Sequence, residues 1–320
     1  MVIDRRAGPA QETSLANGGQ ISVSYAEPWA NPQAPLKLLK WLVRDDAPLL
    51  FRPQLDWRQW MWGLAFLREC LPSRLAPNIR AMVRMAEYSR STLRGMRAQM
   101  GIQYEHLERG ILNFYRDPHE FEASQQAAGL MRDFGVERRV IGPDEVIAIE
   151  PALAPHRGTI VGGDYTPEDE SGDVHLFTAA LAQHCEAAGV EFRFNTQATR
   201  LESVGGSVQA VELIGPDGRY GRLTADAYVV AMGSYTPILV RPLGVPCNVY
   251  PAKGYSATFP VLAPERAPSV SLTDSSHKVV FSRLGNRLRM AGTAELAGYD
   301  RSLNAARCEA LLRLARELFP

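Results

Sequence analysis

The chain has no net charge, few cysteines and histidines, and no apolar run long enough to cross a bilayer. Lys plus Arg and Asp plus Glu number 35 each, so no whole-protein field draws in nucleic acid or a strongly acidic partner. Any selectivity for a charged ligand must therefore be local. The four cysteines, Cys70, Cys185, Cys247 and Cys308, stand far apart, with no Cys-x-x-Cys and no histidine at metal-ligand spacing. That excludes a zinc-ribbon pattern and reads as reduced thiols of a cytosolic protein. Among the six histidines, His175 and His184 fall on opposite faces of an expected helix, so no metal is expected. Met1 leads straight into a short apolar pair and charged residues, with no signal-peptide pattern.

With 320 residues and 46% hydrophobic content, the chain is an ordered globular protein large enough for two domains. Prolines from Pro28 to Pro77 separate short apolar pieces, as in short helices joined by fixed turns. Apolar spacing predicts a helix over 78–100 closed by Gly101, and another over 118–134 closed by Gly135. Two short strands are expected in 104–115, interrupted by Gly110, and one over 160–165. Asp173 is expected to cap a helix over 174–188 that stops at Gly189. Three antiparallel strands follow, over 190–194, 198–203 and 208–214, with turns at Gly205-Gly206 and Pro216-Asp217-Gly218, after which residues 222–225 lead on. A buried strand over 228–231 should then return to a central sheet. Strands over 250–260, 278–283 and 287–292, with a hairpin at Gly285-Asn286, and a helix over 301–319 complete the chain.

Val2-Ile3-Asp4 is an apolar strand closing on a carboxylate. In a βαβ dinucleotide fold such a residue accepts from a ribose hydroxyl, about 20 residues after a Gly-rich phosphate turn. That turn would stand before Val2, so the strand is either coincidental or part of a flavoprotein chain shortened at its start.

The run Glu12 to Ser22, followed by Tyr25-Ala26-Glu27-Pro28-Trp29-Ala30, closely resembles the D-amino acid dehydrogenase small-subunit family, within the FAD-dependent D-amino acid oxidase superfamily. The likeness continues through Met82 to Arg90, Gly110 to Arg116, Glu150-Pro151-Ala152-Leu153, Asp169 to Asp173 with Leu176-Phe177-Thr178, Phe192 to Thr196 and Tyr250 to Ser256. It spans the chain in order. The family's Gly-x-Gly-x-x-Gly unit and its Gly-Leu-Arg-Pro segment, whose arginine binds the substrate carboxylate, are both absent, which implies a chain truncated at both ends.

The resemblance implies an α/β fold with an incomplete Rossmann-like FAD-binding domain (1–28 and 145–240). It also implies an α+β substrate domain, with an antiparallel sheet and a helical insertion (29–144 and 241–320). FAD is the implied cofactor. Asp4, Asn17, Gly18, Gly19, Gln20, Ile21, Thr196, Ala198, Gly233 and Ser234 are its expected contacts. Asp4 would serve the adenosine ribose, and Thr196 and Ala198 the adenine end. Gly18 and Gly19 would let backbone amides approach the flavin. Lys253, Tyr255 and Arg283 are the substrate candidates, against readings as an edge Lys, a core Tyr and a surface ion pair. Arg287 and Arg289 share the hairpin with Arg283. The implied reaction is oxidation of a D-alanine-like amino acid to its imino acid, then hydrolysis to a 2-oxo acid and ammonium. Electrons would go to a quinone or another acceptor. The alternatives are a glycine-, sarcosine- or proline-type amine oxidase, and a non-catalytic fragment or interaction module.

The stretch Trp41-Leu42-Val43 and then Trp57 to Leu67, with Trp57, Trp60, Trp62 and Phe66, flanked by Arg44, Arg52, Arg58 and Arg68, is rich in aromatics. Packing beneath a cover of the substrate domain is the commoner fate of such residues. Peripheral docking on the inner face of the plasma membrane is the other.

Overall fold

The computed structural model describes residues 1–41 and 48–319. In chain order the elements are β1 (Val2–Ile3), β2 (Gln20–Ile21), α1 (Ala34–Trp41), β3 (Leu49–Phe51), α2 (Trp57–Glu69), α3 (Pro72–Met100), β4 (Ile111–Tyr115), α4 (Pro118–Arg132), β5 (Arg139–Ile141), α5 (Pro143–Ile149), β6 (Gly162–Thr166), β7 (Glu170–Ser171), α6 (Val174–Ala187), β8 (Phe192–Arg193), β9 (Gln197–Val204), β10 (Ser207–Ile214), β11 (Tyr220–Leu223), α7 (Thr236–Val240), β12 (Lys253–Pro260), β13 (Ser271–Asp274), β14 (Val279–Leu284), β15 (Arg287–Leu296) and α8 (Ala305–Leu318).

The centre is an eight-stranded sheet in the order β12-β15-β14-β13-β4-β6-β5, with β3 added in parallel to the far end of β15. The β13–β4 pair is also parallel, and the remaining pairs are antiparallel. The two-residue period of a strand sorts this sheet into two unlike faces. Leu112, Phe114, Leu272, Phe281, Leu288 and Met290 form one cluster with Val146 of α5 and with Leu311, Leu314 and Leu318 of α8. The i, i+3, i+7 spacing of those three leucines turns a single stripe of α8 to the sheet, and Asn304 caps the helix by accepting from the Ala306 amide. The alternate positions are polar: register places Asn113 between Thr273 and Asp164, and Ser271 bonds Ser282.

That polar face holds a buried charge pair. Asp164 accepts from Asn113 Nδ2 (2.7 Å), the Tyr115 hydroxyl (2.6 Å) and two nitrogens of Arg138 (3.2 and 3.0 Å). Arg138 also reaches Glu27. Burial, reinforced by the neighbouring carboxylate, pushes the Tyr115 hydroxyl well above its ordinary range, so it stays a neutral donor.

The rest of the chain forms smaller units. β1 pairs in parallel with β8, β2 pairs antiparallel with β7, and β9, β10 and β11 make an antiparallel meander. Gly205 and Gly206, at φ 60° and 83°, supply the left-handed residues of the β9–β10 turn. α3 and α4 enclose a second core of Ile79, Val83 and Met131.

Several expectations need correction. Residues 228–231 form no strand: no backbone ladder reaches them among the described residues. Tyr228, Val230 and Met232 instead pack on Leu201, Val211 and Leu213, and the Tyr228 hydroxyl donates to the Gln209 carbonyl. Of the two strands expected in 104–115, one exists, β4, and Leu107 makes only an isolated bridge to Ser171. α3 begins at Pro72 and runs through Pro77. That proline forfeits one ladder bond near the helix start, which the burial of Ile79 and Val83 outweighs.

Replacing Asp164 with Ala leaves Arg138 buried beside a half-exposed Glu27. A loss of about 3–5 kcal/mol is expected, read from urea unfolding of the two proteins. A second expectation concerns His277, whose Nδ1 lies 2.9 Å from the buried Asp274 carboxylate. That hydrogen bond raises the imidazole above its ordinary 6.5, against the opposing effect of burial. The folded state therefore holds this proton more tightly than the unfolded chain. The stabilisation is complete below pH 6.5 and is lost as pH rises through the folded value. Unfolding midpoints collected across neutral pH should show that decline in the parent and lack it in His277→Gln.

Candidate cofactor site

The turn ahead of β2 is built directly on the polar face of the large sheet. The Asn17 side chain accepts from the Gly19 amide at 2.9 Å, closing an Asx turn. A Cβ on Gly18 would stand 2.4 Å from Val280 Cγ2. Gly19 sits at φ +68°, its carbonyl accepts from Gly172 N at 2.8 Å, and a Cβ would meet the Gly172 oxygen. Both glycines are thus required by the sheet and by the 172 backbone. Gln20 donates to the hydroxyls of Ser271 (3.0 Å) and Thr273 (3.3 Å), and Ile21 pairs with Glu170. Beyond it, the buried Asp169 carboxylate accepts from Ser22, from the Val23 amide and from Ser24.

Asp4 and Thr196 are neighbours. The Asp4 amide donates to Arg193 O at 3.0 Å, and the Thr196 amide donates to Asp4 O at 2.9 Å. The Asp4 carboxylate is fixed at the strand end by the Arg6 amide at 2.8 Å. Ala198 lies close by in β9, against the meander core. Gly233, at φ +53°, has no atom within 4 Å of a would-be Cβ. Ser234 O accepts from the Tyr299 hydroxyl at 2.7 Å, and the next residue, Tyr235, carries the Arg5 guanidinium 3.8 Å above its ring. Arg5 and Arg6 both bind Glu12, at 2.7 and 2.6 Å. Burial would raise that carboxyl, but the two arginines hold it below its ordinary range. Glu12 immediately precedes the turn that leads to Asn17, so it ties the two groups of expected contacts together.

Lys253 and Tyr255 meet on a residue that the sequence pattern does not single out. Glu295, almost fully buried, accepts from the Tyr255 hydroxyl at 2.6 Å and pairs with Lys253 at 3.3 Å and Arg52 at 2.5 Å. Burial alone would raise its carboxyl, yet the hydrogen bond from Tyr255 and the charge of Lys253 leave it lowered. In sequence Glu295 is one acid in a mixed strand, and only the register with β12 reveals it. Arg283 spends its guanidinium on the carbonyls of Gly285 and Pro264 at the hairpin end. Arg287 bridges Glu105 and Asp173 at 2.7 and 2.9 Å. Arg289, the innermost of the three, donates to Leu15 O at 3.0 Å and Asn17 O at 3.2 Å.

Three buried hydroxyls lack partners among the described residues: Thr166 at the end of β6, Tyr250 just ahead of β12 and Thr293 on β15. Thr293 also has φ +56°, a strained state for a β-branched residue. Buried hydroxyls without a partner, one of them on a strained backbone, mark places where a bound polar group would be satisfied.

A family model described as FAD dependent oxidoreductase matches residues 1–320. A D-amino acid dehydrogenase of Dechloromonas aromatica is 55% identical over 319 residues, covering 100% of this chain and 76% of that protein. One of Paramagnetospirillum magneticum is 50% identical over 320 residues, covering 100% and 75%. Among solved structures, a glycine oxidase from Geobacillus kaustophilus superposes with a TM-score of 0.69 at 20% identity, covering 99% of this chain and 70% of that one. An L-proline dehydrogenase from P. horikoshii gives 0.61 at 15% identity, covering 76% and 63%. These likenesses show the fold. With the whole-chain family match and relatives at half identity or better, this chain belongs to the family of FAD-dependent oxidoreductases.

Proposed function

We propose that the chain oxidises D-amino acids of the D-alanine type to 2-oxo acids and ammonium, passing the electrons to a quinone or a similar carrier. The observation that carries this reading is the 55% identity, over the whole chain, to a protein named D-amino acid dehydrogenase. The lack of a His or Cys nucleophile constellation among the described residues agrees with it. FAD, when bound, is the two-electron acceptor, so no side-chain nucleophile is required.

The chain's own task is binding and orientation. Asp4 is assigned to a ribose hydroxyl, and the backbone at Thr196 and Ala198 to the adenine end. Gly233 and Ser234 are assigned to the cofactor where the 233 backbone leaves open space. Residues Asn17 to Ile21 form the wall of the flavin. Of the substrate candidates, Lys253 and Tyr255 act through Glu295, framing the start of β12, and Arg283 secures the hairpin. The domains divide as cofactor part (1–28 and 145–240) and substrate part (29–144 and 241–320).

Anaerobic D-alanine should bleach the flavin absorbance of the loaded protein. Purified chain that carries flavin but keeps its full absorbance refutes the substrate assignment. Chain that never retains flavin supports the non-catalytic alternative. Oxygen uptake matching turnover would select an amine-oxidase chemistry.

We also assign a peripheral membrane contact to α2. No helix among the described residues is long and apolar enough to cross a membrane. On α2, however, Trp57 (67% exposed), Trp60 (51%), Met61 (52%) and Leu64 (63%) form an uncovered stripe, beside the exposed Arg58 and Arg68. The expected burial of these tryptophans thus holds for Trp62, which packs on Phe66 and Tyr250, and not for Trp57 or Trp60. Leu42, Val43 and Arg44 lie outside the described residues. An apolar stripe flanked by arginines suits an anionic bilayer surface. The protein should sediment with phosphatidylglycerol-containing vesicles, and Trp60→Asp with Leu64→Asp should abolish this while leaving flavin content intact. Equal sedimentation of parent and variant would remove α2 from that role.

A further inference from the structure

Arg289 lies on β15 facing the polar side of the large sheet and is only 7% exposed. Its Nε donates to the Thr258 hydroxyl, and its Nη1 donates to Leu15 O and Asn17 O. All three acceptors are neutral. Its other terminal nitrogen, Nη2, makes no bond to a described residue, and no carboxylate among the described residues pairs with it. Asp173, whose charge it feels, is held by Arg287 at 2.9 Å. The other arginines around this face differ: Arg138, Arg97 and Arg287 each sit on a carboxylate. A cation removed from water without a counter-charge is costly, and burial accordingly pulls the Arg289 guanidinium below its ordinary proton affinity.

Ala291, two residues along the strand, belongs to the same surface and lies 3.6 Å from where a Gly18 Cβ would stand. Just beyond it, at the irregularity opposite Gly254, Thr293 carries a strained backbone and a partnerless hydroxyl. One strand thus presents a turn-clamping cation and a flat contact beneath the glycine turn.

We infer that Arg289 supplies the positive charge for a delocalised oxygen anion seated against the Leu15–Gly19 turn. Two sources share that chemistry: the pyrimidine side of the flavin and the carboxylate of the substrate. The inference rests on the proposed reading of this turn as a cofactor wall. Arg suits the task because two neutral carbonyls fix one arm of its planar fork, leaving another donor in a set direction. Arg289 is in this sense a positioning residue for the turn and a counter-charge for what binds there.

The test compares flavin-loaded parent, Arg289→Lys and Arg289→Gln, with unfolding midpoints recorded for each. The readouts are the flavin midpoint potential, the affinity for FAD, the KM for D-alanine and the inhibition constant of acetate, a non-reacting carboxylate. A flavin-side anion predicts a potential lowered in Arg289→Gln by about 30 mV or more, which is tenfold for a two-electron couple. Acetate inhibition would be unchanged, and Arg289→Lys would recover most of the potential. A substrate-side anion predicts the reverse: KM and the acetate constant rise tenfold or more in Arg289→Gln at an unchanged potential, with partial recovery in Arg289→Lys. Should Arg289→Gln fail to fold, Arg289→Met takes its place as a neutral variant of similar length, with the same expectations. In that case a lowered potential or weakened acetate inhibition supports the inference, and a change confined to the unfolding midpoint overturns it. Variants that match the parent in potential, FAD affinity and acetate inhibition also overturn it. A parent that takes up no FAD overturns the functional reading itself, which separates that failure from a failure of Arg289.

Discussion

Five consecutive residues, Asp169 to Asp173, hold the candidate site to the rest of the molecule. Asp169 gathers Ser22, Val23 and Ser24. Glu170 receives Arg94 and Arg97 from α3, at 2.5 and 2.7 Å. Ser171 exchanges backbone bonds with Leu107, Gly172 donates to Gly19 O, and Asp173 both caps α6 and binds Arg287. The four non-glycine side chains of this run are buried. Buried carboxylates are tolerable only when their lone pairs are taken, so each acid here obliges several distant groups to stay in place. Glu170 shows the balance: burial would raise its carboxyl, but the two arginines hold it below the ordinary range.

The same run explains how a chain with no net charge builds strongly charged interiors. The arginines of α3 lie along a helix whose outer face is solvated, and two of them turn inward to one acid. The polar face of the sheet repeats the arrangement with Arg138, Asp164 and Glu27. Charge is matched group by group rather than in aggregate, which is why composition says little about it. Arg289 is the exception on this face, and its exceptional position is next to the glycine turn.

Much of the architecture was legible where the signal is local. Asp173 as a cap, Gly189 as a stop and Gly205-Gly206 as a turn each act within a few residues, and α6 and the β9–β10 hairpin appear where those signals place them. β13 was invisible because Ser-Leu-Thr-Asp has only one apolar residue, Leu272, and its hydroxyls face a polar interior that no periodicity announces. Residues 228–231 carry the composition of a buried strand, but a ladder is a property of two segments and not of one. The site divides in the same way. The Asn17 to Ile21 turn could be read from its own residues, whereas Glu295 becomes visible only once β12 and β15 are in register.

The packing of the glycine turn also limits how the site can work. Gly18 and Gly19 have their missing side-chain space filled by Val280 and by the Gly172 backbone. They are not open hinges that would let the turn close over a ligand. A turn pinned by the sheet below, by Gly172 beside it and by Arg289 at its carbonyls has little freedom left to give up on binding. Preorganisation of that kind places the ordering cost in folding rather than in association. The buried carboxylates of 169–173 therefore do more than stabilise the fold: they fix the geometry of the turn proposed as the cofactor wall.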